Sequence, residues 1–158
     1  MSSSLRKTGR WIHTWWPVLV MIAVIVTEST QTFGSDNTSG PLRVAYQALF
    51  GHVTDDRWEV IHHYIRKSGH FIGYGLVGLS WLRAWRISRT QWRFRTDAVL
   101  ALLATAVIAS ADEIHQSFLP NRTSTPWDVA LDCCGAVVML LISYALLRMW
   151  RPRRLAAA

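Results

Sequence analysis

Four stretches of the chain carry residues able to hold an anion and move protons. Lys67, His70 and Tyr74 stand at i, i+3 and i+7, while Asp112, Glu113 and Gln116 fall within little more than one turn. Arg122 follows, and then Asp128 and Asp132, four apart. Residues three, four or seven apart share a helix face, so each group forms a polar stripe. Lysine and arginine hold phosphates and carboxylates through charge-assisted hydrogen bonds. Histidine and carboxylates are the common general acids and bases. The expected roles are catalytic for His70, Asp112, Glu113 and Asp128, and substrate-binding for Lys67, Tyr74, Gln116, Arg122, Asp132 and Glu28. Asp112, Glu113 and Asp128 are also an oxygen set that a divalent cation would accept, although no ligand spacing here is diagnostic and no metal ligand is assigned.

These residues need elements to carry them. The composition is 51% hydrophobic, and the apolar residues gather in four blocks, Trp15–Phe33, His70–Leu82, Asp97–Ala111 and Val129–Met149. A helix that crosses a bilayer takes about 20 largely apolar residues. The first and fourth blocks reach that length alone; the second and third reach it only with the polar residues at their ends. A soluble bundle would repeat polar residues along each helix, whereas these blocks are apolar all round in their middles. The expected fold is all-α: one polytopic membrane domain with four transmembrane helices, at about 15–33, 68–85, 97–115 and 127–149.

Charge orients them. Of the 17 Lys and Arg, twelve fall in the N-terminal leader (Arg6, Lys7, Arg10), the second connection and the C-terminal tail, and five in the first and third connections. The positive-inside rule puts both termini in the cytoplasm and the first and third connections outside. The basic balance then reflects topology and anionic lipid, with no nucleic acid expected. The first block has the basic start of a signal peptide, but it is too long and lacks a small-residue cleavage site, so an uncleaved span is expected. Cys133 and Cys134 are neighbours on a helix and point apart, which predicts packing residues rather than a disulfide or metal pair.

In the first connection, Gly34 to Gly40 has the composition of a turn, and Pro41 is placed to open a short amphipathic helix bearing Leu42, Ala45, Tyr46 and Leu49 on the outer surface. Asp56 and Glu59 have the spacing of a capping box, and nothing from Arg57 to Leu82 stops a helix. Gly69 and Gly73 would admit a neighbouring helix closely. With this topology the ends of all four spans bring their polar residues to one membrane face, although the topology came from Lys and Arg alone.

Each residue has a plainer alternative. Asp128 is a favourable anion at a helix start, Arg122 could pair with Asp112 or Glu113, and Glu28 could be an interfacial side chain. Asp132 lies a turn deeper among apolar residues and has no such reading. His70 stands at a helix start, while His13, His62 and His63 are surface candidates without partners.

The series Lys67-x-x-His70-x-x-x-Tyr74, Asp112-Glu113-x-x-Gln116, Pro120-x-Arg122, then Asp128, Asp132 and Gly135 resembles the VanZ-like family of small bacterial membrane proteins. That resemblance implies a multi-pass protein of the bacterial cytoplasmic membrane and a link to glycopeptide (teicoplanin) tolerance; relatives often have Asn where Asp132 stands. Ser68-Gly69-His70 with Arg122-x5-Asp128-x3-Asp132 also resembles the membrane type 2 phosphatidic acid phosphatases, except that Asp128 replaces their nucleophilic histidine. Phosphoryl chemistry would then make Asp128 the nucleophile.

The expected function is an outward polar pocket that acts on or binds an envelope lipid, a lipid-linked cell-wall precursor or a glycopeptide. The alternatives are a non-catalytic binder that sequesters the antibiotic or its target, a phosphatase-like enzyme, and a small transporter. A transporter would need an oligomer and polar residues towards the cytoplasmic half, where the sequence has almost none.

Overall fold

The computed structural model describes residues 3–120, 122 and 124–150, with side chains from Thr8 onward. Asn121, Arg151, Arg153 and Arg154, and the side chains of Arg6 and Lys7, lie outside the described residues. The elements are α1 (Ser3–Glu28), a single 3₁₀ turn (Gln31–Phe33), α2 (Ser35–Phe50), α3 (Asp55–Ser88), α4 (Phe94–Ser117) and α5 (Pro126–Met149), with no strand among the described residues. Helices α1, α4 and α5 contain segments long and apolar enough to cross a membrane, Thr8–Glu28, Phe94–Ser117 and Pro126–Met149. At 34 residues α3 is the longest helix described, but no stretch of it is long and apolar enough to join that group: its first half is polar, and glycines, His70, Trp81 and Arg83 dilute the second.

The packing is inside-out relative to a water-soluble bundle. Helix α3 lies against α1, α4 and α5, and the largest fully buried side chains are Tyr74, Val77, Thr105, Asp97 and Asp132. Leu19, Val99, Leu103, Val107, Leu141 and Ile142 point outward and are about half exposed or more. Lipid gives large apolar side chains no reason to turn inward, so small residues and hydrogen bonds hold the helices together.

Those small residues are not the expected ones. Gly69 has open space around it, and Gly73 approaches only Ile25 Cδ1, at 3.9 Å. The close approach is one turn deeper. A Cβ at Gly75 would lie 3.1 Å from the Gly135 carbonyl oxygen, and one at Gly78 would lie 3.1 Å from Ala136 Cβ. At Gly135 a Cβ would collide with the Phe71 carbonyl. Glycines 75, 78 and 135 therefore set how closely α3 and α5 approach.

In α1, Pro17 has no N–H and cannot bond the carbonyl four residues back. That carbonyl belongs to His13, and Arg83 of α3 donates to it at 3.2 Å and to the Thr14 carbonyl at 3.0 Å. A cation from α3 thus supplies the hydrogen bond that the proline removes.

Three boundaries differ from expectation. The first helix stops at Glu28 rather than Phe33, and the chain turns through Gln31–Phe33. Helix α2 begins at Ser35, six residues before Pro41, so the stretch read as a turn is helical. No side chain caps its first N–H groups; Asp36 lies at the positive end, while Asn37 donates to the Gln31 carbonyl at 3.0 Å and Thr38 Oγ1 to the Gly34 carbonyl at 2.9 Å, tying the helix start to the preceding turn. Helix α3 starts at Asp55 behind Thr54, so Asp56 is inside the helix and the capping box with Glu59 does not form. From there α3 runs unbroken to Ser88, as the absence of a stop signal predicted.

Candidate functional site

The long unbroken α3 carries its polar stripe further than Lys67. Glu59, His62, His63, Arg66, Lys67 and His70 succeed one another at three- and four-residue steps along its first half. The last turns of α4 bring Glu113 and Gln116 opposite, the first turns of α5 bring Asp128 and Asp132, and Arg122 reaches in from the connection between them. With Ser35 of α2 and Leu131 of α5 they enclose a polar cleft of about 330 Å³.

Lys67 Nζ forms an ion pair and hydrogen bond with Asp128 Oδ1. Asp128 also lies in the first turn of α5, where the helix dipole favours an anion. His70 Nδ1 stands 3.6 Å from Asp132 Oδ1, beyond hydrogen-bond distance, and the fully buried Asp132 carboxylate meets no hydrogen-bond donor among the described residues. Glu113 Oε2 is likewise buried without a donor among the described residues. Buried carboxylate oxygens without donors are costly, so the cleft floor holds two acceptors, at Glu113 and Asp132, ready for a donor.

Three expected site residues do not line this cleft. Tyr74 donates its hydroxyl to Asp112 Oδ2 at 2.9 Å, and Gln116 Nε2 donates to the same oxygen at 3.0 Å. Asp112 is thus tied between two helices beneath the cleft, and Tyr74 is fully buried there, its ring stacked at 6.2 Å on that of His70. Glu28 is exposed, and it lines a neighbouring groove instead.

Arg122 pairs with neither Asp112 nor Glu113. Its Nη2 donates to the Glu28 carbonyl at 2.6 Å and to the Thr30 carbonyl at 2.9 Å, capping the exposed carbonyls where α1 ends. Ser29 Oγ lies 2.8 Å from His115 Nδ1 and makes a second tie between α1 and α4.

Sequence reasoning missed Glu59, His62, His63 and Arg66 as cleft residues. His62, expected at the surface without a partner, is 7% exposed, stacks on Trp58 at 5.5 Å and lies 3.2 Å from Thr38 Oγ1 of α2. Burial, then the charge of Arg66, then His63, lower its pKa below the ordinary 6.5. Arg66 Nη1 donates to the Phe33 carbonyl at 2.9 Å. The signal was present: the Lys67, His70, Tyr74 stripe extends backward by helical steps once α3 is taken to start at residue 55. Cys133 and Cys134 are both free. No three His, Cys, Asp or Glu side chains among the described residues converge as metal ligands would, and the Asp112 carboxylate accepts from Tyr74.

No curated protein and no solved structure matches the chain. Residues 14–148, from the middle of α1 to the last turn of α5, match the family VanZ/LLP1, and the chain, a multi-pass membrane protein, belongs to that family.

Proposed function

We propose that this protein holds the polar head of an envelope lipid or lipid-linked cell-wall precursor in the cleft between α3, α4 and α5. In this reading α3 is the fourth membrane span, both termini are cytoplasmic, α2 lies on the outer surface and the cleft faces outward, as the twelve-to-five division of Lys and Arg favours. The protein sits in the bacterial cytoplasmic membrane, and by occupying such a lipid it contributes to glycopeptide tolerance.

The observation that carries the reading is the charge arrangement of the cleft. Lys67, Arg66 and Arg122 supply donors for an anion, while Glu113 and Asp132 offer buried acceptors for hydroxyl or amide donors of a head group. His70, between Asp132 and the open cleft, is positioned to move a proton. Asp128 is engaged by Lys67, which argues against a free aspartate nucleophile of the phosphatase kind. A transporter is disfavoured because the buried polar groups of the other half are engaged locally: Ser80 and Thr105 donate to carbonyls of their own helices, and Asp97 faces Arg89 Nε at 3.4 Å.

The test compares wild type with His70→Ala and Glu113→Gln, purified in detergent and incubated with lipid-linked cell-wall precursor and with polyprenyl phosphate. Products are followed by mass spectrometry and stability by thermal unfolding. Turnover by wild type that both variants lose makes the protein an enzyme. Stabilisation of wild type by one lipid, lost in both variants without turnover, makes it a binder. Neither turnover nor stabilisation with any of these lipids would overturn the reading.

A further inference from the structure

Beside the polar cleft lies a second, smaller cavity of about 150 Å³, a groove walled by Phe33, Leu42, Ile65 and Gly69, with Glu28 and Thr38 as its own polar members. The two cavities share three lining residues, Arg66, His70 and Arg122. The shared set contains no carboxylate, although the cleft on one side holds four. From groove to cleft the lining thus changes from mostly apolar, through cationic, to mixed polar.

The apolar face of α3 continues past Gly69. Ile65, Gly69, Ile72 and Leu76 stand at i, i+4, i+7 and i+11, one face of α3, and the three large ones are between 38% and 50% exposed. Gly69 has open space around it, so the absent side chain is itself part of the groove. No carboxylate forms an ion pair with Arg66 or Arg122 among the described residues, although Glu28 lines the groove beside them. Arg122 Nε is buried without an acceptor among the described residues, and the pKa of Arg66 is lowered, first by burial and then by the charge of Arg122, against the opposing pull of Asp36 and Glu28. A single anion between the two guanidiniums would relieve both, and guanidinium is the side chain that matches phosphate geometry.

Resting on the reading above, we infer that the ligand is a lipid in which a phosphate joins an apolar chain to a polar head. Its chain leaves along the Gly69 face of α3, its phosphate sits between Arg66, His70 and Arg122, and its head enters the cleft towards Glu113 and Asp132. A phosphoglyceride and a polyprenyl-phosphate-linked sugar share this order of parts.

Full-length protein in maltoside detergent, which carries no phosphate, is titrated by native mass spectrometry and thermal unfolding. The probes are phosphatidylglycerol, a polyprenyl-phosphate-linked sugar, diacylglycerol, and the water-soluble glycerol phosphate and sugar phosphate. The inference expects at least one phosphate-bearing lipid to bind tenfold or more tighter than its own water-soluble head, and diacylglycerol not to compete; the arm that binds names the source. Gly69→Leu, which fills open space, should fold as wild type and lose that lipid by tenfold or more, while Gly69→Ala keeps most of it. Ile65→Trp obstructs the same groove independently and should match Gly69→Leu. If the water-soluble heads bind as well as the lipids and both obstructing variants bind normally, the polar cleft stands and the chain groove is overturned. If no phosphate-bearing lipid and no head binds, both readings fall.

Discussion

Tyr74 of α3 donates its hydroxyl to Asp112 of α4 at 2.9 Å, and neither residue lines the cleft above them. Asp112 is therefore an acceptor joining two helices, whereas its neighbour Glu113 keeps a free oxygen at the cleft. Adjacent carboxylates on a helix point in different directions, and here that difference separates a structural role from a chemical one.

Tyr74→Phe should cost about 0.5–1.5 kcal/mol, the net worth of one buried hydrogen bond, because Gln116 still donates to the same oxygen. Asp112→Asn should cost less than Asp112→Ala, because an amide oxygen still accepts from the tyrosine. Thermal unfolding in detergent measures all three, and a Tyr74→Phe protein as stable as wild type would contradict the assignment.

The Arg83 bond to the carbonyl freed by Pro17 predicts a coupling. Arg83→Met should destabilise the protein, and less so in a Pro17→Ala background, where a backbone N–H returns at residue 17. The difference expected from a double-mutant cycle is about 0.5–1.5 kcal/mol, one hydrogen bond's worth. Equal costs in the two backgrounds would mean that the arginine and the proline act independently.

Glycines 69 and 135 should respond to alanine with opposite signs. At Gly135 the new methyl meets the Phe71 backbone, which cannot give way as a side chain would, and a loss of about 1–3 kcal/mol or more is expected. At Gly69 it meets nothing, and the reduced freedom of the unfolded chain should add about 0.5–1 kcal/mol. Melting the two variants side by side tests this, and a Gly69→Ala protein less stable than wild type would show that the open space is needed for packing.

Acid should weaken the attachment of α2 to α3 through His62. Its pKa is lowered in the folded protein, so the unfolded chain binds the proton more readily. Stability contributed by the neutral ring is then present above 6.5 and lost as pH falls below it. The slope of thermal stability between about pH 7 and 5 should be shallower in His62→Gln, and an unchanged slope would remove His62 from the account.

Much of this was legible because helix periodicity and hydropathy are local. The polar stripes on α3, α4 and α5 follow from residue spacing, and seven of the ten expected site residues, Lys67, His70, Glu113, Gln116, Arg122, Asp128 and Asp132, line one cleft. What escaped depends on tertiary partners. Nothing near Asp112 in the chain says that Tyr74 will occupy it, and nothing near Gly69 says that the helix crossing falls one turn deeper at Gly75 and Gly78. The start of α2 was missed for a different reason. Ser, Asp, Asn and Thr suit a turn and a helix start equally, and only the bonds to Gln31 and Gly34 decide between them.

The Arg122 hydrogen bonds to Glu28 and Thr30 join positions 94 and 92 residues apart. The stop of the first helix is thus written in part in one arginine of the connection between the fourth and the fifth, and because both acceptors are backbone carbonyls, any side chains at 28 and 30 would serve. A chimera that exchanges the α4–α5 connection between relatives would keep this clasp wherever the arginine is carried over and lose it wherever it is not, whatever side chains the end of α1 bears.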